Sequence, residues 1–517
     1  MSVTVPYDPA SSESPVLNGH KGIPGNSDNP PGHRARGPVW RYSRQDMDRE
    51  TTRYLSAAAQ LDVEYALKVV RKVISDPIRA LAPAYGADVA VVTRWAVDSL
   101  MRRWRRDVAL LLTILLGIGL IWWMTSFGLL AVAVSVVAPL IVAWVIVSAE
   151  YFVRWYRILA RHMLRESFDP GTAPEPRQQW VRDRISAISA RSRGNLVVFR
   201  GKRAFVGSGQ PLSREHVIID VSRGRKVKKG KPGKPQSFTN ADVHRALIAA
   251  MKKLGFSDMK VEERLFVNGR HLRGSDDLLP RGEAAPPAVS VGAGLLLEAT
   301  LDPTPDARTY VCVEMPGWQG QLVVSLFVRA VHAGGSLYVE WEYRVLPPLR
   351  DWFQRVDGYF GVAWPWRVWR AASRGAKDVI PALYKAPFDL VADVVHVVAA
   401  RRRESLILGL VRQGQGFDYG ASTSIREDAQ GDDRQHHFLR RDEIMFVLMS
   451  QAILVREVRV FLREHNVSLA GFDQQIEEIS KSTYKYYNVH VGDVSDSVVA
   501  VGDKSTATAK KKPKDRD

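Results

Sequence analysis

Residues 108–149 read VALLLTILLGIGLIWWMTSFGLLAVAVSVVAPLIVAWVIVSA, and they include no Asp, Glu, Lys, Arg or His. Elsewhere charged residues are frequent, since they make up 25% of the whole chain. As one straight helix the run would measure about 63 Å at ~1.5 Å per residue, roughly twice the ~30 Å hydrocarbon core of a bilayer. Two spans of about 20 residues fit that thickness. The run therefore predicts a transmembrane helical hairpin.

The middle of the run supplies a turn. Thr125-Ser126-Phe127-Gly128 interrupts the apolar residues, so the predicted spans are Val108–Met124 and Leu129–Ala149. The alternative is a hairpin buried in a soluble core. It is disfavoured because few soluble helices are apolar on every face over such a length.

Basic residues flank both spans and predict the orientation. Cytoplasmic loops near span ends carry an excess of Lys and Arg, so both ends of the hairpin and both termini are predicted to be cytoplasmic. The same flanking arginines are expected to contact lipid headgroups: Arg102, Arg103, Arg105 and Arg106 before the run, and Arg154, Arg157 and Arg161 after it.

Net charge and cysteine content limit the binding partners and the kinds of site that the chain can have. A formal net charge of +18 and a pI near 9.9 fit a protein held against anionic phospholipid, or a nucleic-acid binder. Membrane attachment favours phospholipid. A single cysteine, Cys312, excludes an intramolecular disulfide and a cysteine-cluster metal site within this sequence. Its apolar neighbours predict a buried, inert thiol.

Changes in composition and in hydrophobic periodicity divide the chain into segments. Tail residues rich in Pro, Gly and Ser cannot bury enough apolar surface to fold. The predicted segments are a disordered tail (1–45), a cytoplasmic helical subdomain (50–106), the hairpin (108–149), juxtamembrane helices (150–193), an α+β domain (194–347), aromatic and basic interfacial helices (348–403), a C-terminal helical segment (404–480), a strand-like tail (488–505) and a basic disordered tail (506–517).

The predicted fold class is an α+β membrane protein in which the cytoplasmic domain has an antiparallel sheet. Short β-prone runs separated by turn residues support the sheet. The longer predicted strands are Leu295–Leu301, Thr309–Glu314, Gln321–His332 and Ser336–Val345, with Gly334-Gly335 joining the last two. Asn268-Gly269 predicts a type I′ hairpin. One helix is well marked by a cap at Thr239 or Asn240 and by Gly255 as its stop.

A second apolar helix, Val379 to Ala400, is predicted after the α+β domain. Charged and polar residues within it, Lys385, Asp389, Asp393 and His396, argue against a third span. Two interpretations stay open. The helix lies in the membrane interface as an amphipathic helix, or it packs on the sheet with Trp352, Trp364, Trp366 and Trp369 as core.

Two further surface segments carry predictions. Residues 223–234 hold seven Lys and Arg residues, and Arg225, Lys226, Lys228 and Lys229 are predicted to contact headgroups. Nucleic acid is disfavoured because no aromatic residue is interleaved there to stack on bases. Residues 488–505 are either strands that pair with another copy or a partner protein, or a frayed end with no specific partner.

Several sequence blocks resemble a group of uncharacterised two-span membrane proteins from actinobacteria. The blocks are TRYLSAAAQLD at 52–62, PAYGAD at 83–88, GNLVVF at 194–199, FVGSG at 205–209, VEERLFV at 261–267 and LPPLR at 346–350. The resemblance covers most of residues 50–465. It implies the same architecture and an inner-membrane setting. It implies no catalytic residue, because that group carries no assigned activity.

Motifs of common enzymes are missing from the sequence. GxxxxGK[ST], HExxH, GxSxG and the protein-kinase set do not occur. Asp432, Asp433, His436 and His437 could ligate a metal in principle, but a solvated loop is the preferred interpretation. We therefore expect no cofactor, no metal and no catalysis.

Three functional hypotheses follow. The first is a membrane-tethered interaction or scaffold protein with an unidentified protein partner. The second is an oligomerising effector that perturbs the membrane. The third is an enzyme with an unrecognised site in residues 194–347.

Overall fold

The computed structural model describes residues 48–74, 76, 78–191, 194–225, 233–256, 259–359, 363–414, 416–431 and 437–491. Several sequence predictions lie outside these residues. They are the tails 1–45 and 506–517, the lysines Lys226, Lys228 and Lys229, and the loop residues Asp432, Asp433 and His436.

Helices make up most of the described chain. They are α1 (Arg49–Leu61), α2 (Val63–Val73), α3 (Val89–Met124), α4 (Leu129–Phe152), α5 (Ala160–His162), α6 (Gln179–Arg191), α7 (Asn240–Lys252), α8 (Ala293–Leu301), α9 (Asp351–Gln354), α10 (Trp364–Arg412), α11 (Ile425–Asp428), α12 (His437–Glu464) and α13 (Ala470–Val491). A π-helical segment, Val153–Leu159, continues α4. Short 3₁₀ segments occur at Thr125–Phe127, Pro170–Thr172, Trp318–Gly320 and Arg355–Tyr359.

Six strands form one sheet in the order β1-β3-β4-β5-β6-β2. They are β1 (Leu196–Phe199), β2 (Gln210–Asp220), β3 (Lys260–Asn268), β4 (Ala307–Gly317), β5 (Leu322–Ala333) and β6 (Ser336–Leu346). The α+β class is confirmed, and so is the β5–β6 turn at Gly334-Gly335. The prediction of a wholly antiparallel sheet was wrong, because β1 pairs with β3 in parallel. A parallel neighbour needs a long crossover, and here β2 and α7 lie between the two strands.

Two local predictions in this region were wrong. Leu295–Leu301 is helical, within α8, where the Thr300 hydroxyl donates to the Leu296 carbonyl 2.8 Å away. A short apolar run does not distinguish a strand from a buried helix by its pattern alone. At Asn268-Gly269 the chain makes no hairpin. Instead the Gly269 N–H donates to Phe199 O at 2.9 Å, and the Gly269 carbonyl accepts from Tyr419 N–H at 3.0 Å.

The main core lies between one face of the sheet and helices α7, α12 and α13. Alternate residues of the central strands, such as Val311 and Val313 on β4, are fully buried there. Tyr343 reaches across from β6, and its hydroxyl lies 3.0 Å from Ser450 Oγ on α12. The predicted cap of α7 is confirmed as a capping box, in which Thr239 and Asp242 each bond the other's backbone N–H.

A second core is built from helices. It joins α1, α2, α6, α9 and the first half of α3, with Leu55, Ala59 and Val92 fully buried. Helix α3 then runs without interruption from this core into the apolar run. The helical core and the first half of the hairpin therefore share one continuous helix.

Two helices are long and apolar enough to cross a membrane. Segments Val89–Phe127 and Ala133–His162 contain windows with mean hydropathy 2.2 and 2.1, of which 17% and 11% is buried. This exposure contradicts a hairpin buried in a soluble core. The predicted turn is confirmed, since Gly128 adopts a φ of 92° after the 3₁₀ turn at Thr125–Phe127.

The last helix overlaps the predicted strand-like tail. Helix α13 extends to Val491, so residues 488–491 are helical and not extended. The remainder of 488–505 lies outside the described residues.

The helical layer meets the sheet at a close backbone contact. Gly207 has a φ of +90°, and a Cβ there would lie 2.3 Å from the Pro83 carbonyl oxygen. Gly86, on the opposite side of this contact, has a φ of +69° and would clash with Val323 at 2.9 Å. Only glycine allows the two chain segments to approach so closely.

A pair of substitutions separates the effect of this contact from that of backbone conformation. Gly207→Ala and Gly201→Ala both place alanine at positive φ, but nothing lies within 4 Å of a Cβ at Gly201. We expect Gly201→Ala to cost about 1 kcal/mol of unfolding free energy, and Gly207→Ala at least ~2 kcal/mol more because of overpacking. Thermal unfolding of the detergent-solubilised protein measures both. Equal losses would show that the contact contributes nothing.

Candidate membrane-facing site

Helix α10 lies across the base of the apolar hairpin, the end away from the turn at Thr125–Gly128. It contains 49 residues, which is about 73 Å at ~1.5 Å per residue. Its first turn meets the end of α4, where the Trp364 and Phe152 rings are 5.6 Å apart edge to face. Two turns later, the Trp144 indole N–H donates to the Ala372 carbonyl at 2.9 Å.

The middle of α10 packs against both helices of the hairpin. Ala386 is buried together with Leu110 of α3 and with Ala143 and Val147 of α4. Gly375 approaches α4 so closely that a Cβ would lie 3.0 Å from Ser148 Cα. Small residues permit this approach between helix backbones.

Charged groups lie beside this apolar contact, within the two turns of α3 that precede Leu110. Arg103 on α3 pairs with Asp389 on α10 at 2.7 Å and with Asp107 at 3.5 Å. Arg106 pairs with Asp107 at 2.7 Å. Both members of the Arg103–Asp389 pair are partly buried, so removing one of them leaves the other charge poorly compensated. The Arg103–Asp389 pair therefore helps to hold α10 at one position along the hairpin, and the two pairs with Asp107 position the arginines within α3.

The second half of α10 returns to the body of the protein. His396 Nε2 lies 3.0 Å from an Arg71 nitrogen on α2, and Glu404 pairs with Arg184 on α6 at 3.9 Å. Ile407 and Leu408 pack on the cluster that contains Val198 of β1. One helix thus contacts the hairpin, the helical layer and the sheet.

The face of α10 opposite the hairpin is apolar and exposed. Its residues recur every three or four positions, as on one side of a helix, and each is more than 40% exposed: Ile380, Tyr384, Phe388, Val391, Val395 and Val398. Trp364, Trp366 and Trp369 are 58–63% exposed. The interpretation in which these tryptophans form a core on the sheet was wrong.

The predicted headgroup-contacting arginines divide into two groups. Arg105, Arg157 and Arg161 are exposed. The others have protein partners: Arg102 bonds Asp98 at 3.0 Å, Arg103 and Arg106 belong to the ion pairs above, and Arg154 lies 3.7 Å from Glu150. Sequence reasoning missed the role of Asp389 as a partner of Arg103. The presence of a carboxylate in an apolar helix was the available signal.

Arg225 is not brought together with the hairpin arginines. Arg225 follows β2, whose last residue, Asp220, pairs with Ser336. This pair lies at the opposite end of β2 and β6 from Gly209 and Leu346. The Arg225 N–H donates to Asn466 O at 2.9 Å, beside the end of α12. Lys226, Lys228 and Lys229 lie outside the described residues.

A buried ionic junction joins α1 to the segments that follow α4 and α9. Arg53 is fully buried and donates to Asp357 at 2.6 Å and to the Met163 carbonyl at 3.0 Å. Tyr54 donates to the same carboxylate at 2.6 Å. Burial alone would raise the pKa of Asp357, but the hydrogen bonds from Arg53 and Tyr54 lower it. The Arg53 guanidinium therefore joins three segments, because it bonds both the ionised Asp357 carboxylate and the Met163 carbonyl.

Metal-ligating side chains and the single cysteine are candidate reactive groups. Among the described residues, no group of three or more His, Cys, Asp or Glu side chains could hold a metal ion. Cys312 is buried in β4 as predicted, and burial raises the pKa of its thiol. A neutral thiol of this kind is a poor nucleophile.

Comparison with protein families assigns the C-terminal part of the chain. Residues 211–495, more than half of the 517, match the family described as the AbeC-like domain. The chain belongs to this family. No activity is known for it. No match was found among curated proteins or among solved structures.

The AbeC-like domain includes α10 but not the hairpin. The match begins within β2 and covers β3 to β6 and α7 to α13. Helix α10, with its exposed apolar face, is therefore part of the AbeC-like domain. The two hairpin helices against which it packs precede that domain in the chain.

Docking of α10 on the hairpin can be tested with two glycines of the same helix. Gly375→Ala places a Cβ against Ser148, whereas nothing lies within 4 Å of a Cβ at Gly409. We expect Gly375→Ala to destabilise the protein by about 1–3 kcal/mol through overpacking. Gly409→Ala should be neutral or stabilising by ~0.5–1 kcal/mol through helix propensity.

Thermal unfolding gives the stabilities, and hydrogen exchange along α10 shows where the change lies. Faster exchange in residues 371–389 of Gly375→Ala alone would agree with the described contact. Indistinguishable exchange in the two variants would contradict it.

Proposed function

We propose that this protein is an integral inner-membrane protein that holds its AbeC-like domain on the cytoplasmic membrane surface, where the domain binds another protein. The observation that carries the proposal is the position of α10. Its buried apolar contacts with the hairpin lie near the two ends of the apolar run, at Leu110 and at Ala143 to Val147. A helix at that level lies at the boundary between hydrocarbon and headgroups when the hairpin spans a bilayer.

The surface at this level matches a membrane interface. The exposed face of α10 offers aromatic and aliphatic side chains, and exposed arginines occur close by at Arg105, Arg157 and Arg161. Interfacial helices bind through buried apolar area together with attraction to anionic lipids. Each basic residue near the surface contributes roughly 1 kcal/mol. Anionic phospholipid is therefore the proposed lipid partner.

The interaction role rests on the rigidity of the attachment. The Arg103–Asp389 ion pair and close helix packing fix α10 to α3 and α4, so the AbeC-like domain has a set orientation to the hairpin. We extend the proposal to orientation: the tip at Thr125–Gly128 lies outside and both ends of the hairpin lie inside.

Topology is tested by cysteine labelling of the full chain in bacterial cells, in a Cys312→Ala background. Cysteine at Ser126, on the hairpin tip, is expected to react with a membrane-impermeant maleimide in intact cells. Cysteine at Ile218, which is 53% exposed on β2, should react only after permeabilisation. Carbonate washing should leave both proteins in the membrane. Release by carbonate, or labelling of Ile218→Cys from outside, would overturn the proposal.

The interaction role is tested by crosslinking in living cells followed by purification of the full chain. We expect a discrete crosslinked protein with the wild type and with Gly409→Ala. The yield should fall at least threefold with Gly375→Ala, because that variant loosens the domain from the hairpin. If the wild type yields no crosslinked protein, or if all three chains give equal yields, a role that depends on the tether is excluded.

A further inference from the structure

A cavity of about 280 Å³ lies between the helical layer and the loop that follows α10. Its walls come from the end of α2, from Asp76, residues 79–82, Ala84 and Val89, from Ile188 of α6 and from residues 420–425. Ligand pockets in proteins begin at about 300 Å³, so the cavity suits a small ligand or part of a larger one. It lies apart from the exposed face of α10.

Three cations and one carboxylate line this cavity. The cations are Arg71, Lys72 and Arg79, and the carboxylate is Asp76. Arg79 is held in place by Asp76 at 3.1 Å and by the Phe417 ring, whose centroid lies 5.2 Å from the guanidinium carbon. Arg71 has no carboxylate partner within 4.0 Å among the described residues. The lining therefore carries an excess of positive charge.

Lys72 has its counter-ion outside the lining. It bonds Asp428 and the Thr423 hydroxyl, and Asp428 also accepts from Lys68 at 3.0 Å. Burial would raise the pKa of Asp428, but hydrogen bonds from the two lysines lower it. Asp428 is thus shared between two cations, and it does not neutralise both.

The rest of the lining offers hydroxyls and an apolar floor. Ser422, Thr423 and Ser424 contribute hydroxyls from the loop after α10, and Ala82, Ala84 and Val89 contribute apolar groups. An anion would meet the cations and hydroxyls, while an organic group attached to it would rest on the alanines and Val89.

We propose that this cavity binds a phosphate ester. Arginine forks present paired N–H donors that match phosphate oxygens, and charge-assisted hydrogen bonds of this kind are the strong ones. Lysine and hydroxyl groups complete the set of donors. The apolar floor favours an ester with an organic part over inorganic phosphate.

Binding of a phosphate ester in the cavity would be linked to the contact between α2 and α10. The Arg71 guanidinium contacts His396 of α10 at 3.0 Å, so a bound phosphate competes with α10 for this group. The proposal itself does not depend on the hairpin spanning a membrane.

The phosphate ester could be soluble or part of a lipid, and the two sources can be separated. One arm titrates the purified full chain in detergent with AMP and with glycerol 3-phosphate. The other measures binding of the chain to nanodiscs that contain phosphatidic acid, against nanodiscs of phosphatidylcholine alone. Saturable binding in either arm is expected, and the arm in which it occurs identifies the source. No saturable binding in both arms overturns the proposal.

Variants connect the binding to the cavity. Arg71→Gln with Arg79→Gln should weaken the observed binding at least tenfold, whereas Arg245→Gln, an exposed arginine on α7, serves as the matched control and should leave it unchanged. Ala84→Phe fills the cavity without changing a charge, and it should also weaken binding tenfold or more. Binding unaffected by both Ala84→Phe and the double variant places the ligand elsewhere and overturns the assignment.

Discussion

The packing of α10 against both helices of the hairpin is the contact on which the arrangement of this protein depends. The hairpin residues are too exposed to stabilise one another as a core, and α4 is apolar on most of its surface. Helix α10 covers one side of the hairpin at its base and leaves the remainder of the spans uncovered. In an aqueous setting such a surface would be costly, since each exposed apolar Å² forgoes roughly 25 cal/mol. This exposure supports the proposed membrane setting of the two helices.

Continuity of the backbone reinforces this contact. Helix α3 begins in the helical core at Val89 and ends at the hairpin tip at Met124, so no hinge separates the core from the first span. Arg53 also joins α1 to Asp357, which follows α9, and to the Met163 carbonyl, which follows α4. As a result the helical layer, the hairpin and the AbeC-like domain are joined by packing and by ion pairs, and not by linkers.

The extent to which this structure could be predicted depended on whether the determining interactions were local. The hairpin turn, the Thr239 cap and the Gly334-Gly335 turn were predicted because each is encoded within a few residues. The parallel β1–β3 pair, helix α8 and the full length of α10 were not, since each depends on contacts far along the chain. The same holds for the candidate site. Flanking arginines were predicted from their position, but the partner of Arg103 is Asp389, and no local pattern connects the two.

The boundary of the family match shows how the N-terminal part of the chain contributes to the fold. The match begins within β2, so β1 lies outside it, yet β1 covers the edge of β3. Without β1, residues Leu265 to Asn268 would present an unpaired strand edge, which is a site for unwanted pairing. Residues 76–84, also outside the match, contribute Ala80, whose N–H donates to Tyr419 O at 2.8 Å beside that edge. The N-terminal region therefore completes the sheet of the AbeC-like domain, and it is a structural part of that domain as well as the source of the hairpin.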